Sequence, residues 1–307
     1  MASYLEIYHS GRLAERVEAA RALLQKCLVC PRHCGINRMV GETGKCETAR
    51  WAKVSSYGPH FGEESPLVGR SGSGTIFFTN CNLKCIFCQN YDISQLGNGT
   101  EATSGELAKM MLSLQSKGCH NINLVSPTHV VPQILEALNI AIGKGLDIPL
   151  VYNSGGYDSV ETLQILDGIV DIYMPDMKYS DAKIAEELSS VENYHEVNKA
   201  AIKEMYNQVG DLQVNSDGVS TRGLLIRHLV LPHALAGTEK IVNYISSEIS
   251  KNSYINVMAQ YHPRYKASQT PQLSRRLLQR EFDEAVDLAI KAGLKCLDKG
   301  YPTVIRV

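Results

Sequence analysis

The chain has 307 residues, 44% of them hydrophobic, and a formal net charge of −1 at neutral pH. That length holds one large α/β domain with a small appendage, or two small domains. The near balance of charge gives no general electrostatic case for nucleic acid or an anionic membrane as partner.

Met1–Ser10 mixes Glu6 and His9 with apolar residues and lacks the apolar run of a signal peptide. No stretch elsewhere reaches the roughly 18 apolar residues of a spanning helix, so a cytoplasmic protein is expected. Leu13–Lys26 reads as an amphipathic helix, with Leu13, Val17, Ala20 and Leu24 at helical spacing. It leads into a Cys-Pro-Gly loop, Cys27 to Cys46, that has too few apolar residues for a core of its own. A Gly/Ser/Pro-rich link, Tyr57–Gly74, follows. The expected division is residues 1–60 as a helix plus cysteine-rich metal-binding appendage, and 61–307 as the main domain with a C-terminal extension.

From Gly74 onward the pattern alternates. Strands are expected at Thr75–Thr79, Asn121–Val125, Ile148–Tyr152, Asp171–Met174, Leu224–Val230 and Tyr254–Ala259. Helices are expected at Ser104–Lys117, Val131–Lys144, Ser159–Leu166, Ala182–Gln208 and Thr238–Lys251, with a last one at Arg280–Lys291. Short apolar strands between helices imply a parallel sheet with right-handed crossovers. Six such units curl into a partial (βα)6 TIM-like barrel, whose functional residues gather at the carboxyl ends of the strands.

Nine cysteines in a reducing compartment point away from disulfides, and seven of them cluster at short spacing. In Gly74–Asn90, GTIFFTNCNLKCIFCQN, the cysteines Cys81, Cys85 and Cys88 follow the first strand as C-x3-C-x2-C. A cubane iron–sulfur cluster normally takes four thiolates. Three leave one iron with an open position, as catalytic metal sites have. That iron can chelate an amino group and a carboxylate together, as S-adenosylmethionine presents them. Phe87 can pack against the cluster loop or an adenine face.

This segment resembles the hallmark of the radical S-adenosylmethionine (radical SAM) superfamily, C-x3-C-x-aromatic-C at this structural place. Within it the chain is similar to proteins related to pyruvate formate-lyase activating enzyme, the glycyl-radical activases. The resemblance implies a 4Fe–4S cluster on Cys81, Cys85 and Cys88, reductive cleavage of S-adenosylmethionine to a 5′-deoxyadenosyl radical, and hydrogen abstraction from a substrate. It also implies a one-electron donor of flavodoxin or ferredoxin type and, as one possible substrate, a glycine of a partner glycyl-radical enzyme. Small-molecule substrates and a non-enzymatic electron carrier are the alternatives.

Further motifs extend the likeness. Most of the superfamily has Gly-Gly-Glu after the second strand, whereas Ser126-Pro127-Thr128-His129 stands here, leaving Thr128 or His129 as substitutes. Asn153-Ser154-Gly155-Gly156 resembles the Thr-Asn-Gly turn of the activases, so Asn153 or Ser154 could bond the cofactor's carboxylate or ribose. Asp176 and Lys178 resemble the activase Asp-x-Lys motif, and side-chain alternation puts both on one side. Arg227 resembles a cofactor-facing arginine and requires an anionic partner in its apolar run, whereas His228 faces the other way and packs or is exposed. His262 matches a site histidine near the nucleoside. Upstream, Cys27, Cys30, Cys34 and Cys46 form a closed set of four thiolates, for a second iron–sulfur cluster or a zinc ion. Cys119 and Cys296 read as small apolar residues.

Overall fold

The computed structural model describes residues 2–298. Met1 and residues 299–307, the end of the expected C-terminal extension, lie outside the described residues. The strands are β1 (Ala52–His60), β2 (Ser73–Phe78), β3 (Thr100–Ala102), β4 (Ile122–Val125), β5 (Leu150–Ser154), β6 (Ile172–Pro175), β7 (Gln213–Val214), β8 (Ser220–Leu229), β9 (Tyr254–Met258) and β10 (Cys296–Leu297). Their order in the sheet is β10-β9-β8-β6-β5-β4-β2-β1-β3, with β7 paired to β8. β2, β4, β5, β6, β8 and β9 pair in parallel. These are the six expected strands of the α/β partial barrel.

Side-chain alternation divides each strand between two environments. Ile122, Leu124, Leu150, Tyr152 and Tyr173 join the large core under the helices. Val151, Ile172, Met174 and Leu225 face inward and, with Leu67, form a small apolar cluster of their own. Phe77, Val125, Asn153, Arg227 and Asn256 border one cleft although β2 and β9 lie five strands apart. The sheet must therefore curl around a lumen.

Helices Ser104–Ser116, Val131–Ile142, Val160–Ile165 and Gln279–Lys291 fall where expected, the first closed by a Thr103–Glu106 capping box. Leu13, Val17, Ala20 and Leu24 are all buried, but their helix spans Arg12–Ala22 and gives way to turns before the cysteine loop. The expected helix Thr238–Lys251 is α-helical over Thr238–Tyr244 and then widens to a π turn, Ile245–Ile249.

Two expectations are corrected. The link Tyr57–Gly74 is not unstructured throughout: its first residues belong to β1, which runs antiparallel to β2 from Val54↔Phe78 to His60↔Ser73. β1 is half-exposed, so its pairing rests on backbone bonds and carries little apolar alternation. The helix expected over Ala182–Gln208 is two helices, Ala182–Ser189 and Tyr194–Val209. They are separated at Ser190, whose φ of 55° is left-handed. No described helix is long and apolar enough to cross a membrane.

One ion pair fixes the start of the last helix. Glu281 accepts from Arg275 Nη1 and Nη2 and from the backbone N–H groups of Leu278 and His233. Arg275 chiefly lowers its carboxyl, from 4.5 to about 2. The stabilisation is therefore complete above pH 4.5 and fades as pH falls toward 2. Glu281→Gln is expected to cost about 1 kcal/mol at neutral pH, and less near pH 3, in urea unfolding.

Candidate active site

β2 is buried along its length except at Phe77 and releases the chain at Asn80, whose φ of 70° is left-handed. Asparagine tolerates that conformation better than most residues. Its Nδ2 donates to Glu47 O and Thr48 Oγ1, tying the entry of the loop to the N-terminal cysteine segment. The same loop is held from the other side by the broken helix. Lys84 N donates to Ser189 O and Ile86 N to Leu188 O, at 3.1 and 2.9 Å. The break at Ser190 leaves terminal carbonyls of the helix for a neighbour to satisfy, and the cysteine loop is that neighbour.

Cys81, Cys85, Phe87 and Cys88 then border a cavity of about 210 Å³ together with Ser126, Asn153, Ser154, Asp176, Lys178 and Arg227. Phe78, Val125, Ser154, Asp176, Leu229 and Met258 bring the carboxyl ends of all six parallel strands to its wall, as the barrel predicts. Burial pushes the Cys81 thiol up to about 12 and also raises Cys85, where Lys178 opposes the effect. Around the sulfurs, Ser189 Oγ donates to Cys85 Sγ at 2.9 Å and Leu83 N to Cys81 Sγ at 3.4 Å. Cys88 Sγ lies 3.1 Å from Ser94 Oγ. Among the described residues no three His, Cys, Asp or Glu side chains converge on a single ion. The three thiols instead border a shared cavity with a cation beside it, a donor set suited to an anionic cluster with one iron left open.

Asp176 is the electrostatic centre of the cavity. Its Oδ2 takes the Lys178 ammonium at 2.5 Å, and its Oδ1 takes Arg227 Nε and Nη2, each at 2.9 Å. Burial opposes its ionisation, but Arg227 and then Lys178 outweigh that and hold the carboxyl below the usual range. Lys178 in turn is held charged against burial by Asp176. Asp176 and Lys178 do share a side, and Arg227 does have an anionic partner. His228 is fully buried and packed, with Nδ1 2.7 Å from Met177 O and Nε2 2.9 Å from Thr238 Oγ1.

Four candidates, Thr128, His129, Ser154 and His262, sit differently from expectation. Thr128 does not border the cavity; its hydroxyl donates to buried Asp158 at 2.6 Å. Ser126, left-handed at φ 59°, turns the chain after β4 and is the residue of that segment that reaches the cavity. His129, the other substitute, is buried with Nε2 3.1 Å from Thr79 O, and burial lowers its pKa to about 3. Ser154 borders the cavity, but its hydroxyl donates to Asp158 at 2.6 Å and accepts from Gly156 N. His262 is partly exposed and outside the cavity, its Nε2 accepting from Arg264 at 2.8 Å. Phe87 packs edge-on against Tyr179 and Tyr261 in a compact aromatic cluster.

The turn after β5 requires glycine. Gly156 has φ 73°, and a Cβ there would strike Asp176 O. Gly156→Ala is expected to lower unfolding stability by at least about 2 kcal/mol in urea titration, because strain and clash add.

In the N-terminal loop Cys27, Cys30 and Cys46 are buried and Cys34 partly so, and none of the four forms a disulfide. Burial pushes Cys30 up to about 12, reinforced by the other three thiols. Arg32 Nε and Nη1 donate to Asn82 O and Ser190 O, so this loop abuts the cavity's cysteine loop. Cys119 is buried in the main core, as a small apolar residue would be. Cys296 begins β10 at half burial.

Comparison with known proteins agrees with this geometry. The model of the radical SAM superfamily matches residues 75–219. An uncharacterised protein of Methanocaldococcus jannaschii is 36% identical over 303 residues, spanning 94% of this chain and 82% of its own. A second uncharacterised protein of that organism is 23% identical over 290 residues, spanning 88% and 79%. A radical SAM methyltransferase from Sphaerobacter thermophilus superposes with a TM-score of 0.52 at 13% identity, over 74% of this chain and 67% of that one, a likeness of fold. The chain belongs to the radical SAM superfamily. Membership implies an enzyme that uses a 4Fe–4S cluster and S-adenosylmethionine.

Proposed function

We propose that Cys81, Cys85 and Cys88 hold the cluster and that the enzyme abstracts hydrogen from a substrate in the adjoining cleft. The observation that carries this is the meeting of three thiols with Asp176, Lys178, Arg227 and Asn153 at the carboxyl ends of the strands. When bound, the cluster and S-adenosylmethionine supply one-electron cleavage to methionine and a 5′-deoxyadenosyl radical. The protein's part is orientation and exclusion of water. Lys178 offers an ammonium for the methionine carboxylate, Asp176 fixes Lys178 and Arg227 in place, and Asn153 offers its amide to carboxylate or ribose. Ser189 and the Leu83 N–H donate to two of the sulfurs and so tune the cluster's potential.

Two substrate classes fit this chemistry. The Asp176–Lys178 and Asn153–Gly156 motifs resemble those of the glycyl-radical activases, which supports a glycine α-carbon in a partner protein. The cleft of about 740 Å³ that continues from the cavity favours a small molecule or a single inserted side chain. A flavodoxin- or ferredoxin-type donor is part of the same reading; Arg32, Lys45 and Lys84 line a surface hollow beside the cysteine loop, with Glu47 between them. For the N-terminal four-cysteine set, we favour an auxiliary iron–sulfur cluster over zinc, on the Cys30–Pro31 sequence.

The test is anaerobic reconstitution with iron and sulfide, addition of S-adenosylmethionine and dithionite, and quantitation of 5′-deoxyadenosine. Its formation supports the reading. A clustered, reduced protein whose EPR spectrum ignores S-adenosylmethionine sinks it.

A further inference from the structure

The cleft beside the cofactor cavity shares Gln89, Asn90, Val125, Asn153, Arg227 and Gln260 with it. A substrate lying in the cleft is therefore next to the cavity that holds the reacting centre. Glu64 borders this cleft and is only 8% exposed. Its Oε1 accepts from Asn256 Nδ2 at 3.1 Å and lies 3.7 Å from Arg227 Nη1. Its Oε2 is buried and has no hydrogen-bond partner. Folded proteins rarely leave such atoms unsatisfied, because each forfeits its hydration for nothing.

The charges decide what this oxygen takes. Arg227 is already committed to Asp176, which also holds Lys178. Those three groups and Glu64 balance, two cations against two carboxylates. Glu63, held by His60 Nδ1 at 3.1 Å, adds a further carboxylate at the cleft. Among the described residues a substrate anion finds no uncommitted cation in the cleft, whereas a donor cation finds a carboxylate oxygen without a hydrogen-bond partner. We propose that Glu64 anchors a substrate subsite for a cationic hydrogen-bond donor, an ammonium or guanidinium group. It anchors one end of the substrate in the lumen and leaves the C–H end toward the thiol-lined cavity. The subsite rests on the radical SAM reading of that cavity and adds its substrate class.

The cation belongs either to a small amine or to a basic side chain of an inserted protein segment. The experiment uses the full chain, reconstituted anaerobically, and titrates n-butylammonium, the peptide Gly-Gly-Lys-Gly-Gly and neutral 1-pentanol by saturation-transfer NMR. Saturable binding of either cation, with pentanol silent, is expected; the amine alone identifies a small molecule, the peptide alone a protein segment. Glu64→Gln should weaken the cation at least about tenfold, as expected for losing a charge-assisted bond. Equal binding of pentanol and the cations, or undiminished binding by Glu64→Gln, overturns the subsite. Deoxyadenosine formation by the wild-type preparation is read in parallel. If it persists while cation binding fails, only the subsite falls; if it is absent and the EPR spectrum is unmoved, the cavity reading falls.

Discussion

Cys85→Ala is expected to abolish reductive cleavage: no 5′-deoxyadenosine above the background of the unreconstituted protein, and no 4Fe–4S absorbance or EPR signal from this site. Three thiolates are the minimum for a cubane with one open iron, so no redundancy exists among them. Serine at the same position should fail as well, since a hard oxygen is a poor substitute for thiolate sulfur. Loss of fold is a weak competing explanation. The substitution removes one sulfur, and Cys85 packs at the edge of a cluster whose aromatic members Phe87, Tyr179 and Tyr261 remain. Unfolding stability should change by about 1 kcal/mol. Cys119→Ala is the matched control, because Cys119 is also buried but sits under the helices, away from the cavity. It should lose comparable stability and keep full deoxyadenosine yield. If both variants lose activity together, the effect is on folding, and the assignment of Cys85 fails.

Parallel strands such as β5 and β6 could be read from sequence because both faces are buried, which writes them as short apolar runs between helices. The cysteine loop was legible for another reason: ligand spacing is a local property. β1 left no trace because its exposed half, with Ser55, Ser56 and Tyr57, carries no period-2 pattern. The break between the helices at Ser190 uses a left-handed serine where sequence rules look for glycine or asparagine. Thr128 was a reasonable candidate at a strand end, but left-handed Ser126 redirects the chain and hands Thr128 to Asp158. Ser189 and Glu64 could not have been found locally. Ser189 reaches Cys85 across 104 positions and Glu64 reaches Asn256 across 192. Such contacts are products of the curled sheet, and no window of sequence contains both partners.

Asp176→Asn should be the most damaging substitution at the site that leaves every cysteine in place. Asp176 is 8% exposed and lies between two cations, Lys178 and Arg227, whose side chains are mostly buried themselves. Replacing the carboxylate by an amide keeps the shape but leaves an ammonium and a guanidinium with Glu64, 3.7 Å from Arg227, as their remaining carboxylate partner among the described residues. Breaking a buried pair in this way costs about 3–5 kcal/mol, because the partner stays buried and loses its counter-charge. The expected result is a fall of that size in urea unfolding, together with loss of deoxyadenosine formation. Lys178→Met in the same background should return part of the stability by removing one stranded cation. The double-mutant cycle should therefore give a coupling of about 1–3 kcal/mol between the two positions. It should restore no activity, since the ammonium proposed for the methionine carboxylate is then gone. A cost of no more than about 0.5 kcal/mol for Asp176→Asn, the range of ordinary surface substitutions, would mean the triad is screened by water. Its role in holding Lys178 toward the cofactor would then have to be abandoned.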